Sequence, residues 1–281
     1  MQTVQDAAAL RAVIRGWRSQ GQTVGFVPTM GNLHAGHHSL IKLARARAER
    51  VVASVFVNPT QFGPNEDFER YPRTLVQDQV GLAEHECDLL FAPEVATLYP
   101  FGAASSVSIH VPLLTETLEG AHRPGHFDGV ATVVCKLFNL VQPDLAVFGQ
   151  KDFQQLKVIE RMVRDLSLPI KIMAAATLRA EDGLALSSRN QYLSAGDRAL
   201  APQIHATLLQ MRDLMAKGHA RTVVEQAAAS KLTRAGFEVD YAAIRRSEDL
   251  AEPADGEHDG LVALIAARLG ATRLIDNLPF D

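Results

Sequence analysis

Cysteine, tryptophan and long apolar runs are scarce in this chain of 281 residues, and the scarcity of cysteine and of apolar runs each excludes a class of protein. The sequence has 2 cysteines and 1 tryptophan, and aromatic residues make up 6% of it. So few cysteines cannot build the dense disulfide framework of a small secreted domain. No apolar run reaches the roughly 18 residues that a membrane helix needs, so we expect no membrane span.

The chain also has little excess charge of either sign. Its formal net charge is -4, which does not favour non-specific binding to nucleic acid or to a membrane surface. Residues 1–20 carry charges and no apolar core, unlike a secretory signal. Cys87 and Cys135 lie in apolar stretches, which favours buried free thiols in a reducing compartment. We therefore expect a cytoplasmic protein.

Apolar runs of strand length alternate with helix-like stretches over residues 1–177. The run Val51–Val57 consists mainly of β-branched and small residues, which is typical of a parallel strand buried on both faces. Because strands that alternate with helices imply right-handed crossovers, the sequence predicts an α/β fold with a mainly parallel sheet. We expect this sheet to be Rossmann-like and doubly wound.

The pattern changes beyond residue 177. Helical stretches are followed there by grouped short strands, which predicts a smaller C-terminal α+β domain over residues 178–281 that closes over the site. Ser194 resembles a helix N-cap, and the helix is predicted to run to near Lys217. Elsewhere, Thr3 followed by Asp6 predicts a helix start, and the alternation in Ser106–Val111 predicts an edge strand.

Polar residues follow three of the predicted strands. These segments are Pro28–His37, Asn58–Gly63 and Gly149–Gln155. In a parallel sheet of this kind, ligands bind beyond the carboxyl ends of the strands. The three segments are therefore expected at one rim of the sheet, where together they predict a binding site.

The first segment belongs to Val27–Ile41, with the sequence VPTMGNLHAGHHSLI, which joins a strand to a helix. Backbone N–H groups in such a turn, together with the helix N-terminus, attract phosphate. Gly36 permits close approach of a ligand, and His34 and His37 add two imidazoles. The pattern His-x-Gly-His is typical of the nucleotidyltransferase superfamily, although four residues alone would also fit a polar turn with surface histidines.

Two further segments suit phosphate binding. Lys151 follows Gly149 at a predicted helix start, where it can contact a phosphate or simply form a solvated pair with Asp152. Ser187, Ser188 and Arg189 lie in a polar segment that fits either a loop closing over a triphosphate or an interdomain linker.

The string PTMGNLHAGHHSLI closely resembles the pantoate–β-alanine ligase family, and later segments resemble it as well. These are NPTQF at 58–62, FGQKDFQQ at 148–155 and DGLALSSRN at 182–190, where Leu186 replaces the usual methionine. The resemblance implies ATP-dependent condensation of (R)-pantoate with β-alanine to pantothenate. AMP and pyrophosphate are the other products, and pantoyl adenylate is the intermediate.

The resemblance also implies roles for individual residues. Catalytic roles fall to His34, His37, Lys151 and Arg189. ATP contacts are expected from Met30, Gly31, Asn32, Leu33, His34, Ala35, Gly36, His37, Gly149, Gln150, Lys151, Asp152, Leu178, Leu186, Ser187, Ser188 and Arg189. Pantoate or β-alanine contacts are expected from Pro28, Thr29, Asn58, Gln61, Arg123 and Gln155, and His126 is expected near the acid substrates. Mg²⁺ is expected on the ATP rather than on a protein site, and the chain is expected to form a homodimer.

Two other functions remain compatible with the motifs. A nucleotidyltransferase acting on a phosphate acceptor would share His34 and His37 but would not need Gln61 and Gln155 as an acid pocket. A non-catalytic nucleotide sensor would bind ATP without turnover. A zinc site is not favoured, because the histidines at 34, 37 and 38 lack a nearby carboxylate in the sequence.

Overall fold

The computed structural model describes residues 1–64, 66, 68–254 and 256–280. The chain forms two compact units. Unit 1 comprises Met1–Gln150 and Gln155–Ala176, and unit 2 comprises Lys151–Gln154 and Thr177–Asp281. Each unit contains a hydrophobic cluster of its own.

Residues 1–176 contain a sheet of six strands with helices between them. The strands are β1 (Gln2–Val4), β2 (Val24–Thr29), β3 (Arg50–Val55), β4 (Leu89–Phe91), β5 (Leu145–Gly149) and β6 (Lys171–Ala175). The helices are α1 (Ala7–Arg18), α2 (Ala35–Arg45), α3 (Leu75–Glu84), α4 (Val95–Leu98), α5 (Glu119–His122), α6 (His126–Val141) and α7 (Phe153–Asp165). Short 3₁₀ helices follow β3 at Pro59–Gln61 and β5 at Gln150–Asp152.

The sheet has the strand order β1-β4-β3-β2-β5-β6, and every pair is parallel. This confirms the predicted doubly wound α/β fold. The apolar runs in β2 and β3 form central strands of the sheet. Val27 and Val51 are accordingly fully buried between the helical layers. From β2 the chain continues to β3 and β4 on one side of the sheet, and β5 and β6 lie on the other side of β2. The strand order therefore reverses between β2 and β5. Such a reversal is the point where open α/β sheets bind ligands.

Two local predictions in this unit are wrong. Thr3 lies in β1, and α1 begins only after Asp6, whose side chain accepts the Ala9 N–H at 2.8 Å. The short strand escapes a pattern search because its parallel pairing with β4 comes from tertiary structure. Residues 106–111 form no strand, since the Ile109 N–H donates to the Thr132 hydroxyl of α6 at 2.8 Å rather than to a neighbouring strand.

Unit 2 is an α+β unit, as predicted. Its strands β7 (Glu238–Arg246), β8 (Leu261–Leu269) and β9 (Thr272–Pro279) form an antiparallel sheet in that order. Its helices are α8 (Ala195–Leu200), α9 (Gln203–Ala216) and α10 (Arg221–Arg234). Leu208 and Leu232 are fully buried in one apolar cluster with Ile265 of β8. The single long helix predicted from Ser194 to Lys217 is instead two helices, because Pro202 lacks the N–H that would continue the ladder.

Neither cysteine forms a disulfide. Cys87 is buried and Cys135 is half-buried, and both are free. Burial raises the pKa of the Cys87 thiol to about 11, so this group stays protonated at neutral pH. Within the described ranges, none of the helices has the length and apolar content that crossing a membrane requires.

Candidate active site

The turn between β2 and α2 lies at the carboxyl end of a central strand, beside the reversal of strand order. Two successive residues of this turn have positive φ, Gly31 at 83° and Asn32 at 51°. Glycine is required at 31 because a Cβ there would lie 2.9 Å from Asp78 Oδ2. The Thr29 hydroxyl donates to the Ser54 carbonyl at 2.7 Å and accepts the Gly31 N–H at 3.2 Å, which ties the turn to β3.

Two backbone N–H groups of the turn donate to a carboxylate of the protein itself. The Asn32 N–H lies 3.1 Å from Asp78 Oδ2, and the Leu33 N–H lies 2.8 Å from Asp78 Oδ1. These backbone groups were expected from the sequence to bind phosphate, and Asp78 was not predicted. The signal in the sequence was that Asp78 lies four residues before Leu82, on the apolar face of the predicted helix, where a carboxylate needs a partner. Both residues are buried on α3.

His34 and His37 cap the N-terminus of α2 reciprocally. His34 Nδ1 accepts the Gly36 N–H at 3.1 Å, and His37 Nδ1 accepts the His34 N–H at 3.3 Å. The two ring centroids are 4.2 Å apart. Because a backbone N–H can only donate, each Nδ1 must accept, and the proton of each neutral ring lies on Nε2. Both histidines therefore carry their N–H donor on the ring nitrogen away from the cap.

His38 does not join this pair. Its ring stacks on His85 of the segment after α3, with centroids 4.3 Å apart. Its Nε2 is buried against Gly81, where a Cβ would lie only 2.6 Å away. Burial, together with the neighbouring His85, lowers the pKa of His38 and keeps the ring neutral. His38 thus packs α2 against α3.

Gln61 follows β3, and its side-chain orientation is set by Asn58. Asn58 is 1% exposed, and its amide nitrogen donates to the Gly129 carbonyl and to Gln61 Oε1, each at 3.1 Å. A carbonyl can only accept, so the Gly129 contact identifies the Asn58 nitrogen, and Gln61 Oε1 must then face it. The Gln61 NH₂ group points the other way and lies 3.0 Å from Met30 Sδ. Gln61 is therefore oriented as a donor.

Tyr99 fixes the other side of the Asn58 amide. Its hydroxyl donates to Asn58 Oδ1 at 2.8 Å and lies 3.2 Å from the Thr60 hydroxyl. Burial raises the pKa of Tyr99, so it stays a donor throughout the neutral range. Tyr99 was not predicted from the sequence, because no motif links it to a segment 41 residues earlier.

Arg123 and His126 hold the backbone at Gln61. The Arg123 guanidinium donates to Glu66 at 2.7 Å, to His126 Nε2 at 3.1 Å and to the Gln61 carbonyl at 3.4 Å. Because Arg123 can only donate, His126 Nε2 accepts, and its Nδ1–H donates to the same carbonyl at 2.8 Å. Burial and the Arg123 charge lower the pKa of His126 to about 4. Arg123 thus bonds three protein groups around Gln61, and its contact with a substrate stays a prediction.

The remaining predicted residues of unit 1 lie at the ends of its strands and helices. Pro28 is the second-last residue of β2, just before Thr29, and Gly149 ends β5. Gln150 opens the 3₁₀ helix that follows, and Gln155 lies half-buried in the first turn of α7. Since β3, β2 and β5 are adjacent, the segments that follow them start from one rim of the sheet.

In unit 2, Lys151 is anchored through its backbone. Its carbonyl accepts the Asn277 side-chain amide at 2.8 Å, and its ammonium lies 3.8 Å from Asp152. Asn277 follows Asp276, which receives two hydrogen bonds from Arg179 at 2.6 and 3.0 Å. The predicted lysine is therefore fixed by β9, a partner 126 residues away that the motif does not reveal.

The serine–arginine segment of unit 2 forms a capped turn. The Leu186 N–H donates to the Leu178 carbonyl at 2.9 Å, which brings these two predicted ATP residues together. Ser187 caps the 3₁₀ helix Ser188–Tyr192, accepting the Arg189 N–H at 3.3 Å. The segment is thus an ordered turn within unit 2.

Comparison with known proteins identifies one family over nearly the whole chain. The family model described as pantoate-beta-alanine ligase matches residues 2–279. The chain is 59% identical to the pantothenate synthetases of Xanthomonas oryzae pv. oryzae (strain PXO99A) and Xanthomonas axonopodis pv. citri (strain 306), over 100% of each chain.

Solved structures show the same similarity. The pantothenate synthetase of Thermus thermophilus is 49% identical, with a TM-score of 0.91 over 99% of both chains. The pantoate-beta-alanine ligase of Francisella tularensis, complexed with beta-gamma ATP and beta-alanine, is 34% identical with a TM-score of 0.82. That alignment covers 99% of this chain and 97% of the Francisella chain.

Proposed function

The chain belongs to the pantoate–β-alanine ligase family, and on that premise we propose that it condenses (R)-pantoate with β-alanine to form pantothenate. ATP is split to AMP and pyrophosphate, with pantoyl adenylate as the intermediate. The Francisella relative, whose structure holds an ATP ligand and β-alanine, supports both compounds as substrates. The observation that carries the adenylation step is the reciprocal cap, which gives His34 and His37 a proton on Nε2 at the strand reversal.

The first step is attack of a pantoate carboxylate oxygen on the α-phosphorus of ATP. A new oxygen–phosphorus bond forms, and the bond to the β-phosphate oxygen breaks, so pyrophosphate leaves. Negative charge shifts onto phosphate oxygens during this displacement, and fixed donors aimed at such oxygens lower the barrier. We assign this role to the Nε2–H groups of His34 and His37.

Pantoate recognition falls to the two glutamines. Gln61 has its carbonyl oxygen bonded to Asn58, so its NH₂ group is the part that can meet a carboxylate or hydroxyl oxygen. We place Gln155 beside it in this role because α7 begins at the same rim. Arg123 supports the pocket indirectly through Glu66 and the Gln61 carbonyl.

We assign neutralisation of the remaining ATP phosphate charge to the basic residues predicted from the sequence. Lys151 and Arg189 neutralise phosphate charge, and the Ser187 and Ser188 hydroxyls add hydrogen bonds. Mg²⁺ arrives with ATP as part of the substrate, held mainly by phosphates and water.

The second step uses the activated acyl group. The β-alanine amine attacks the acyl carbon, the bond from that carbon to the phosphate oxygen breaks, and AMP leaves with that oxygen. Excluding water at this stage protects the mixed anhydride from hydrolysis. A homodimer and a cytoplasmic location remain predictions from the sequence.

A product assay tests this function. The enzyme is incubated with MgATP, pantoate and β-alanine, each omitted in turn. Under multiple-turnover conditions, we expect pantothenate, AMP and pyrophosphate to accumulate only when all three substrates are present. ADP as the nucleotide product, or no dependence on pantoate, would overturn the proposal. Adenylyl transfer to a phosphate acceptor would instead favour the nucleotidyltransferase alternative.

A further inference from the structure

Asp78 is a buried carboxylate that contacts the turn before the histidine pair. It lies in the first turn of α3 and is only 2% exposed. Its two oxygens accept the N–H groups of Asn32 and Leu33, one each. The Thr74 hydroxyl lies 3.2 and 3.3 Å from the same two oxygens.

The shape of the turn explains why an anion is needed there. Gly31 and Asn32 both have positive φ, and the successive N–H groups of Asn32 and Leu33 point to one concave side of the turn, which favours a negative charge. Asp78 fills that concavity from within the protein. Thr74 occupies the N-cap position of α3 but makes no capping bond, because its hydroxyl turns to Asp78 instead.

The turn leads directly to the catalytic pair. Leu33, whose N–H is held by Asp78, precedes His34, which caps α2 in an extended conformation with φ of −138° and ψ of 177°. His34 in turn sets the ring of His37 through its backbone N–H. A shift of Leu33 would therefore move both imidazoles.

We infer that Asp78 is a positioning residue, an internal anion that holds the turn in the shape in which His34 and His37 meet ATP. This inference rests on the proposed role of the histidines in binding ATP. Asp78 itself does not touch substrate. Its effect should appear first in the affinity for ATP.

Asp78→Asn tests the charge and the hydrogen bonds at constant volume. An asparagine offers one acceptor oxygen, so its NH₂ group would face one of the two backbone donors. One buried N–H would lose its partner, and the turn would have to shift to regain one.

Asp88→Asn is the matched control. Asp88 also accepts a backbone N–H, from Val51 at 2.7 Å, and bonds Arg45 and Arg50. It lies at the amino end of β3, the opposite end of the sheet from the site. Loss of general stability should therefore be similar in the two variants.

The measurement is calorimetric titration of each folded variant with MgATP and, separately, with pantoate. An unpaired buried donor predicts MgATP affinity about tenfold weaker or more in Asp78→Asn. Pantoate affinity should change far less, and Asp88→Asn should bind MgATP as the unmodified enzyme does. Unchanged MgATP affinity in Asp78→Asn would overturn the inference, and so would an equal loss in Asp88→Asn.

A second variant covers the case in which Asp78→Asn does not fold. Thr74→Val replaces the hydroxyl with a methyl group of similar size, so the carboxylate is less firmly held. MgATP affinity should fall by a smaller factor of about three. Unchanged affinity in that variant would then overturn the inference. Because these titrations need no turnover, a chain that binds MgATP but forms no pantothenate would refute the proposed reaction and leave this inference standing.

Discussion

His37 Nδ1 accepts the backbone N–H of His34 at 3.3 Å, so the His37 ring depends on His34 for its place in the cap. The same bond fixes the tautomer of His37 with its proton on Nε2. Helix capping and the proposed phosphate binding therefore fall to opposite nitrogens of one ring. Substitutions can separate these two roles.

His37→Asn should keep the cap and lose activity. The asparagine oxygen can occupy the place of Nδ1, but nothing replaces the Nε2–H. Loss of one such donor typically lowers kcat by about 10²–10³-fold, whereas loss of a cap costs about 1 kcal/mol of stability. Thermal unfolding and steady-state kinetics measure the two effects separately.

His37→Gln is the complementary variant, because the glutamine nitrogen can approach the place of Nε2 while the cap is lost. It should retain more activity than His37→Asn and be the less stable of the two. Near-normal turnover in a folded His37→Asn enzyme would contradict the assigned role.

Gln61→Glu should impair the use of pantoate. A glutamate oxygen can still accept from Asn58, but a second oxygen would replace the NH₂ group that we propose meets the pantoate carboxylate. Loss of that bond to a charged group, with charge repulsion added, predicts a KM for pantoate raised by roughly tenfold to a hundredfold. The KM for ATP should stay within a few fold. A raised KM for ATP with an unchanged KM for pantoate would contradict the assignment.

Tyr99→Phe should also impair the use of pantoate, but less than Gln61→Glu does. It removes the hydroxyl that fixes Asn58 Oδ1, while the Gly129 carbonyl still holds the Asn58 nitrogen. We expect the KM for pantoate to rise severalfold, by about 1 kcal/mol in binding terms, with the KM for ATP unchanged. An effect on ATP alone would show that the Asn58 network does not serve Gln61.

Lys151→Met should lower kcat by about 10²-fold through loss of a phosphate counter-charge. Lys157→Met is the matched control, because Lys157 pairs with Glu160 on α7 at 2.9 Å and is given no catalytic role. The control should leave turnover within about twofold, because a pair that stabilises α7 supplies no phosphate counter-charge. Equal losses in the two variants would point to a general effect of charge rather than to a role of Lys151.

The buried His126 predicts a loss of stability in acid. Its pKa is near 4 in the folded protein and near 6.5 in an unfolded chain, because burial and Arg123 disfavour its charged form. The unfolded chain thus binds the extra proton first as pH falls below 6.5, and the contribution of His126 to stability is lost progressively down to pH 4. One proton changes the free energy of unfolding by roughly 1.4 kcal/mol per pH unit.

His126→Asn supplies the comparison, since asparagine does not titrate and can still donate to the Gln61 carbonyl. Urea unfolding across this acid range should show a shallower pH dependence in the variant than in the unmodified protein. Identical slopes would show that His126 is not held neutral.

The sheet was predictable because its central strands are continuous apolar runs, for which burial between two helical layers is the natural outcome. Val51 and Val52 are fully buried, as that pattern requires. The short β1 and the break at Pro202 were not predicted. The first depends on pairing with a distant strand, and the second was hidden by good helical periodicity on both sides.

The local motifs of the site were visible in the sequence, but the contacts that orient them were not. The strand-to-helix turn placed His34 and His37 together without reference to the rest of the chain. Asp78 and Tyr99 act through hydrogen bonds that span 45 and 41 residues, and no local period encodes such a contact. Asn58 stays a predicted substrate contact, and the bonds of its amide to Gly129 and Tyr99 were not visible in the motif.

The most direct test of the central claim follows an oxygen atom. Pantoate labelled with ¹⁸O in both carboxylate oxygens is supplied with MgATP and β-alanine, and the AMP formed is analysed by mass spectrometry. If pantoyl adenylate is the intermediate, one labelled oxygen bridges to phosphorus and leaves with AMP, and the other stays in the pantothenate amide. The adenylate mechanism predicts AMP carrying one ¹⁸O atom. Unlabelled AMP, or ADP as the nucleotide product, would contradict it.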